Sequence, residues 1–301
     1  MASAAQALRI PPRGALAHRF VPFVLGVLYF AAIFLAMAFM VLPIVAIFVH
    51  VTPQKLIEQL TNPIVTDALI VTVKTTLVAQ VFILAFGTPT AYFLATRRFP
   101  GRSLAITLVE LPIVLPPAVA GVGLLVAFGR YGLLGGTFSA LGINVAFNQA
   151  AVVLAVALVA GPFYVRSAIA AFEAVDANLV AASRTLGAGP TRTFFRVTLP
   201  LAGGGLGAGQ AIALARGLGE FGATIMFAGS LQGKTQTLPL AVYYSFELVD
   251  GLNVALAISA LLVLISIAIL LSVKLATAWR PSRGPETVAV IGRSEPGVAL
   301  D

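Results

Sequence analysis

Residues 178–200 read NLVAASRTLGAGPTRTFFRVTLP, a polar segment between two strongly apolar runs. It carries Arg184, Arg192 and Arg196. Charge alone divides evenly between a solvated connection and a surface that docks a partner. The order of residues favours docking. Ala181, Ala182 and Ser183 come first, then a gap of three residues, Gly187, and finally Leu199-Pro200 at the edge of the next apolar run. Alanines make a strong, slim helix. Gly187 supplies the left-handed backbone that ends one, and Pro200 suits the first turn of a following helix. A short helix held in a hairpin between two spans is a compact knob, suited to a socket.

The rest of the chain supports a membrane setting. Of its 301 residues, 59% are apolar and 10% charged, and the mean hydropathy is +1.00. A soluble domain of this size carries far more charge. Several apolar runs exceed the ~18 residues that mark a membrane helix. The net charge of +8 is spread over connecting segments, so it is no nucleic-acid signal. The absence of Cys excludes disulfides, thiolate metal sites and Cys nucleophiles, and two histidines exclude a His-rich metal site.

Six spans are expected, at 23–48, 68–95, 103–128, 150–171, 201–228 and 252–276. The first follows Arg9, Arg13 and Arg19 and mimics a signal peptide with a cleavage site at Ala36-Met37-Ala38. The run 21–49 is longer than the ~7–15 residues of a signal core, so it reads as a retained span. A surface helix is expected at 56–60 and a kink in the second span at Gly87 and Pro89. The third span, with Pro112, Pro116 and Pro117, should be irregular. Residues 1–20 form an N-terminal segment, 21–279 the membrane domain with its loop at 177–200, and 280–301 a polar, disordered tail. Arginines gather before the first span, at 97–102, at 166–196 and after the sixth, whereas the opposite side holds only Lys55, Lys74, Arg130 and Lys234. The positive-inside bias therefore puts both termini and the 178–200 loop in the cytoplasm. No internal repeat of the kind that builds secondary transporters is visible.

Residues 213–228, ALARGLGEFGATIMFA, contain a literal GxGxxG at Gly217, Gly219 and Gly222. No strand precedes it and no βαβ unit surrounds it, so a dinucleotide site is excluded. Glycines in a membrane helix let backbones approach. Arg216 and Glu220 are four apart, the spacing of a helix-face pair, and charges inside a bilayer face a bundle interior or an aqueous path. A structural pair and a functional one are equally compatible with that spacing. Lys74 reads as snorkelling to the headgroups or guiding an arriving anion, Glu110 as interfacial, and 111–117 as either a plain helix breaker or a kinked, path-lining span.

The 178–200 pattern resembles the cytoplasmic coupling loop of ABC importer permeases, matched here at Ala181, Ala182, Ser183, Gly187, Leu199 and Pro200. The family's Glu is absent, with Val180 or Ala181 in its place; this bears on a charge contact at the ATPase socket, not on the helix–turn geometry. Residues 214–229 with GKTQTLP at 233–239, LPIVLPPAVAG at 111–121, FEAVD at 172–176 and TLGAG at 185–189 resemble molybdate, tungstate and sulfate importer permeases. The resemblance covers 68–276.

It implies an all-α membrane protein of type I ABC importer form, with six transmembrane helices and a cytoplasmic coupling helix. The implied function is the permease subunit of an ATP-driven oxyanion importer in the cell membrane, for molybdate or tungstate, with sulfate or thiosulfate as the alternative. The implied partners are an ATP-binding cassette ATPase carrying ATP and Mg, an extracytoplasmic oxyanion-binding protein, a second permease copy in a homodimer, and the lipid bilayer, with no nucleic acid. Arg216 and Glu220 would lie along the translocation path. The chain itself is expected to bind no cofactor or metal and to have no catalytic residues. It has no GxxxxGK[ST] phosphate loop, no GxSxG elbow and no His deep in a span. A stand-alone secondary transporter or channel, or an intramembrane enzyme, are the other classes considered.

Overall fold

The computed structural model describes residues 17–248 and 251–278, and the described residues form helices and turns without a strand. Helices α1 (Ala17–His50), α2 (Pro53–Leu60) and α3 (Pro63–Thr96) come first, followed by α4 (Arg102–Val114), α5 (Pro117–Phe128) and α6 (Gly135–Ala140). Then come α7 (Gln149–Glu173), α8 (Ala177–Thr185), α9 (Pro190–Thr193), a π turn (Phe194–Thr198) and α10 (Leu199–Leu218). Helices α11 (Gly222–Ala228), α12 (Leu238–Ser245) and α13 (Gly251–Ala278) are the last of the described elements. Among the described residues, five helical stretches are long and apolar enough to cross a membrane, or six when α4 and α5 count as one broken span. The tail expected at 280–301 and most of the 1–20 segment lie outside the described residues.

Two expected spans differ from the structure in an instructive way. The third is broken at Leu115 and Pro116, where Pro116 takes φ −55° and ψ 130°. Each of these residues precedes a proline, which disfavours the helical region, and Pro117 then restarts the chain at the first turn of α5. The fifth span, expected at 201–228, instead runs through Pro190–Leu218, with Gly222–Ala228 as a separate helix. Pro190 therefore occupies the helix start, while Leu199 and Pro200 lie inside the span. Pro200 is accommodated because the ladder slips just before it: the Leu199 N–H reaches back five residues to Phe194 O. A π turn of this kind absorbs a residue that the regular ladder cannot satisfy. Gly87 and Pro89, where a kink is expected, sit within one continuous helix.

The chain divides into two compact units. The first takes the described residues of Met1–Ala79, Leu115–Val159 and Leu218–Ile265. One of its cores joins Leu124 of α5, Ala151, Val152, Ala155 and Val156 of α7, and Ala223 and Phe227 of α11. Helices α5 and α11 approach so closely that a Cβ on Gly121 would stand 2.6 Å from Ala223 O. A second core joins Val65 and Ala68 of α3, Leu238 and Ala241 of α12, and Val254 and Ile258 of α13. The TQTLP turn is pinned from within by Leu231 N, which donates to Thr235 Oγ1 at 3.0 Å, and to α3 by Leu238 N, which donates to Thr72 Oγ1 at 2.8 Å.

The second unit takes the described residues of Gln80–Val114, Ala160–Gly217 and Ser266–Asp301. Lipid offers little hydrophobic drive between helices, so small residues and close packing do the joining. On α10, Gly205 and Gly209 face Ala171 and Ser167 of α7, at Cβ distances of 2.5 and 2.6 Å from where their own Cβ atoms would be. Gly87 of α3 meets Tyr164 of α7, whose hydroxyl lies 2.6 Å from Thr88 Oγ1. Gln210 Nε2 donates to Gln80 Oε1 at 2.7 Å, tying α10 to α3. Such bonds between membrane helices are worth about 0.6 kcal/mol on average.

Candidate functional site

The segment between α7 and α10 forms a closed hairpin. Helix α8 begins at Asp176, whose Oδ1 accepts the Asn178 N–H at 2.8 Å; this satisfies a backbone donor at the helix start, and the carboxylate favours the dipole there. The helix stops at Gly187, with φ +81°. Ala188 N donates to Ser183 O at 3.1 Å and Gly187 N to Arg184 O at 3.0 Å. These are the paired bonds of a Schellman motif, which needs a left-handed residue and so favours Gly. Pro190 opens α9 after Gly189.

A side-chain bond closes the hairpin, Ser183 Oγ to Thr193 Oγ1 at 2.8 Å, with Thr193 buried. Both stems rest on one ring of α3. The Tyr92 centroid lies 5.3 Å from Phe172, near the end of α7, and 4.7 Å from Phe194 in the π turn. A third tie comes from Arg102 at the start of α4: its Nη2 lies 2.5 Å from Glu173 Oε1, and its Nε donates to Leu94 O at 2.7 Å.

What the hairpin presents outward is mixed. Ala181, Ala182, Arg184, Arg192 and Arg196 are exposed. Leu186 is 87% exposed at the turn, an apolar tip uncovered by the described residues. A slim helix, an apolar tip and flanking guanidinium groups together make up the exposed surface of the hairpin. Of the six residues expected to couple, Ala181, Ala182, Ser183 and Gly187 are gathered in this hairpin. Leu199 and Pro200 stand apart, past the π turn.

The Arg216–Glu220 expectation rested on a single helix, and that premise is corrected. Helix α10 ends at Leu218 and α11 starts at Gly222, so the two residues do not share a helix face. Gly219 and its neighbours interrupt the ladder. Arg216 occupies the last turn of α10, where a cation complements the helix dipole. Glu220 is buried, and its Oε1 accepts the Ala223 N–H at 2.8 Å, capping α11. Glu110 lies 3.5 Å from Arg166 in a largely exposed pair, a contact worth little, and Lys74 is exposed on α3.

Reading the sequence alone passed over the Arg102–Glu173 tie, the Ser183–Thr193 bond and the Gln80–Gln210 pair. One of these left a trace. Glu173 is an acid at the C-terminal end of a long helix, where the dipole disfavours it, so it called for a nearby cation.

Comparison with known proteins agrees with this architecture. Residues 83–279 match the family of binding-protein-dependent transport system inner membrane components. The molybdenum transport system permease protein ModB of Mycobacterium tuberculosis is 43% identical over 237 residues, covering 78% of this chain and 88% of that protein. ModB of Escherichia coli K12 is 41% identical over 214 residues, covering 71% and 92%. The crystal structure of a bacterial alginate ABC transporter, solved with an alginate pentasaccharide-bound periplasmic protein, matches with a TM-score of 0.62 at 15% identity, covering 88% of this chain and 96% of that one.

Proposed function

This chain belongs to the family of binding-protein-dependent transport system inner membrane components, and from that premise we propose that it is the permease subunit of an ATP-driven molybdate importer. It is a transport component and not itself a catalyst. The closed, exposed hairpin from Asp176 to Thr193 carries the reading, because it is a rigid lever with a face shaped for a partner. The anion follows from the two ModB relatives, each more than 40% identical over most of its length.

An ATPase subunit, carrying ATP and Mg, docks on the hairpin from the cytoplasm, where both termini also lie. A binding protein delivers the oxyanion on the opposite face, and two copies of this chain form the path. Arg216 and Glu220 lie beside that path, each anchored at a helix end. ATP binding draws the hairpins together, and the tie to Tyr92 moves α3, α7 and α10 with them. Closure is thereby paid from the nucleotide's differential affinity for the two states. The permease itself needs only weak anion contacts, since a tight site in the path would slow release, as it would in a channel.

Reconstituting the chain with its ATPase and binding protein in liposomes tests this. Molybdate uptake should require ATP and both partners and should be competed by tungstate more strongly than by sulfate. Uptake that persists without the ATPase would make the chain a secondary transporter, and preferential competition by sulfate would reassign the anion.

A further inference from the structure

We propose that Arg102 and Glu173 are positioning residues that carry movement of the α8–α9 hairpin into α4. This rests on the hairpin being the ATPase contact. Gly101, at φ +89°, turns the chain so that Arg102 begins α4 beneath the end of α3. Two nitrogens of one guanidinium then serve two helix ends: Nε reaches the carbonyl of Leu94 in the last turn of α3, and Nη2 reaches Glu173, the last residue of α7. Helix C-termini leave carbonyls unsatisfied and attract cations. The planar fork is what lets one side chain hold both partners, and an ammonium does not reproduce it.

Stability alone is a poor reason for this arrangement. The Arg102 and Glu173 side chains are 30% and 48% exposed, and ion pairs that wet contribute little. An uncharged residue at position 173 would avoid the dipole penalty altogether. The gain is geometric. Tyr92 already joins α3 to both stems of the hairpin, and Arg102 adds α4, whose far end is the break at Leu115 and Pro116. Glu173 stands three residues before Asp176, the cap of α8, so displacement of the hairpin reaches Arg102 through less than one helical turn of chain.

The test uses the complete transporter in liposomes and reads molybdate imported per ATP hydrolysed, with co-purification of the ATPase scored separately. R102A, R102K and E173Q leave the hairpin intact, so each should co-purify with the ATPase as the parent does. Imported molybdate per ATP should fall at least about threefold in R102A and R102K, within the range by which residues remote from both ligands alter coupling. E173Q should fall less, because the amide still accepts a hydrogen bond. A parental ratio in both R102A and R102K overturns the proposal. So does a ratio that falls only in step with lost assembly or lower thermal stability, the signature of a purely structural role. If R102A does not assemble, a parental ratio in R102K is sufficient to overturn it. Failure of the underlying hairpin reading looks different: Gly187→Val would then co-purify and transport as the parent does, whatever Arg102 variants do.

Discussion

Substitution of Gly187 isolates the geometry of the hairpin from its contacts. Its φ of +81° lies in the left-handed region, and a Cβ built there meets nothing within 4 Å. The cost of a side chain is thus conformational and not steric, about 1–2 kcal/mol for an L residue. In Gly187→Ala and Gly187→Val, the Schellman bonds from Gly187 and Ala188 are retained only by accepting that cost. The undocked hairpin will instead relax into other conformers. A partner that binds only the closed form then sees its affinity reduced by the fraction that remains closed. One to two kcal/mol corresponds to docking weakened about 5- to 30-fold. Gly187→Asn should lose less, because Asn tolerates this conformation. The apolar spans are untouched, so membrane insertion should be normal. Titrating the purified ATPase against each variant in detergent gives the ratios directly. Parental affinity in Gly187→Val, or a loss in Asn as large as in Val, would refute the reasoning.

Gly121→Ala should lower thermal stability by about 1–3 kcal/mol by overpacking, since the new Cβ would stand 2.6 Å from Ala223 O. Gly123→Ala is its control, with nothing within 4 Å, and equal melting temperatures for the two would count against the close approach of α5 and α11. Glu220→Ala leaves the buried Ala223 N–H without its acceptor, at about 1–3 kcal/mol, whereas Glu220→Gln keeps an oxygen there; assembly yields should rank accordingly. A double-mutant cycle with Arg216→Ala, scoring assembly and uptake separately, tests the pairing expected from the sequence: a double variant milder than the worse single marks a pair, because a lone buried charge is costlier than none. Small additive effects on assembly and uptake would separate the two residues. Cysteine introduced at Gln232 should react with an impermeant thiol reagent in intact cells and cysteine at Ala15 or Pro285 should not; the reverse pattern would invert the topology.

The spans were legible because apolar length is a one-dimensional property, and the runs leading to α1, α3, α7 and α13 needed nothing more. The halt at Gly187 was legible for the same local reason. The breakdown came wherever a helix end depended on neighbours. Pro200 looks like a helix start, yet Pro190 is one, and only the five-residue bond from Leu199 to Phe194 lets the second proline stay inside. The spacing of Arg216 and Glu220 presumed a helix that stops between them, because Glu220 spends its carboxylate on capping α11. Arg102 and Glu173 are 71 residues apart, so their meeting is a fact of packing that no local pattern contains.

The π turn at Phe194–Thr198 has a consequence for how this chain can change over time. A helix advances about 100° per residue, and the slipped bond stores one surplus residue in the ladder. Losing a single residue there would let the ladder close up into an ordinary helix. The helix on either side would keep nearly its present orientation, because the surplus residue adds no net turn to the ladder, and Gly205 and Gly209 would still face Ala171 and Ser167. The cost would fall on Pro200, which would then sit in a regular ladder that its ring cannot join. A deletion or insertion in the regular helix between Pro200 and Gly205 is different: it turns both glycines about 100° away from α7, so it should be far more damaging than loss of one residue from the turn.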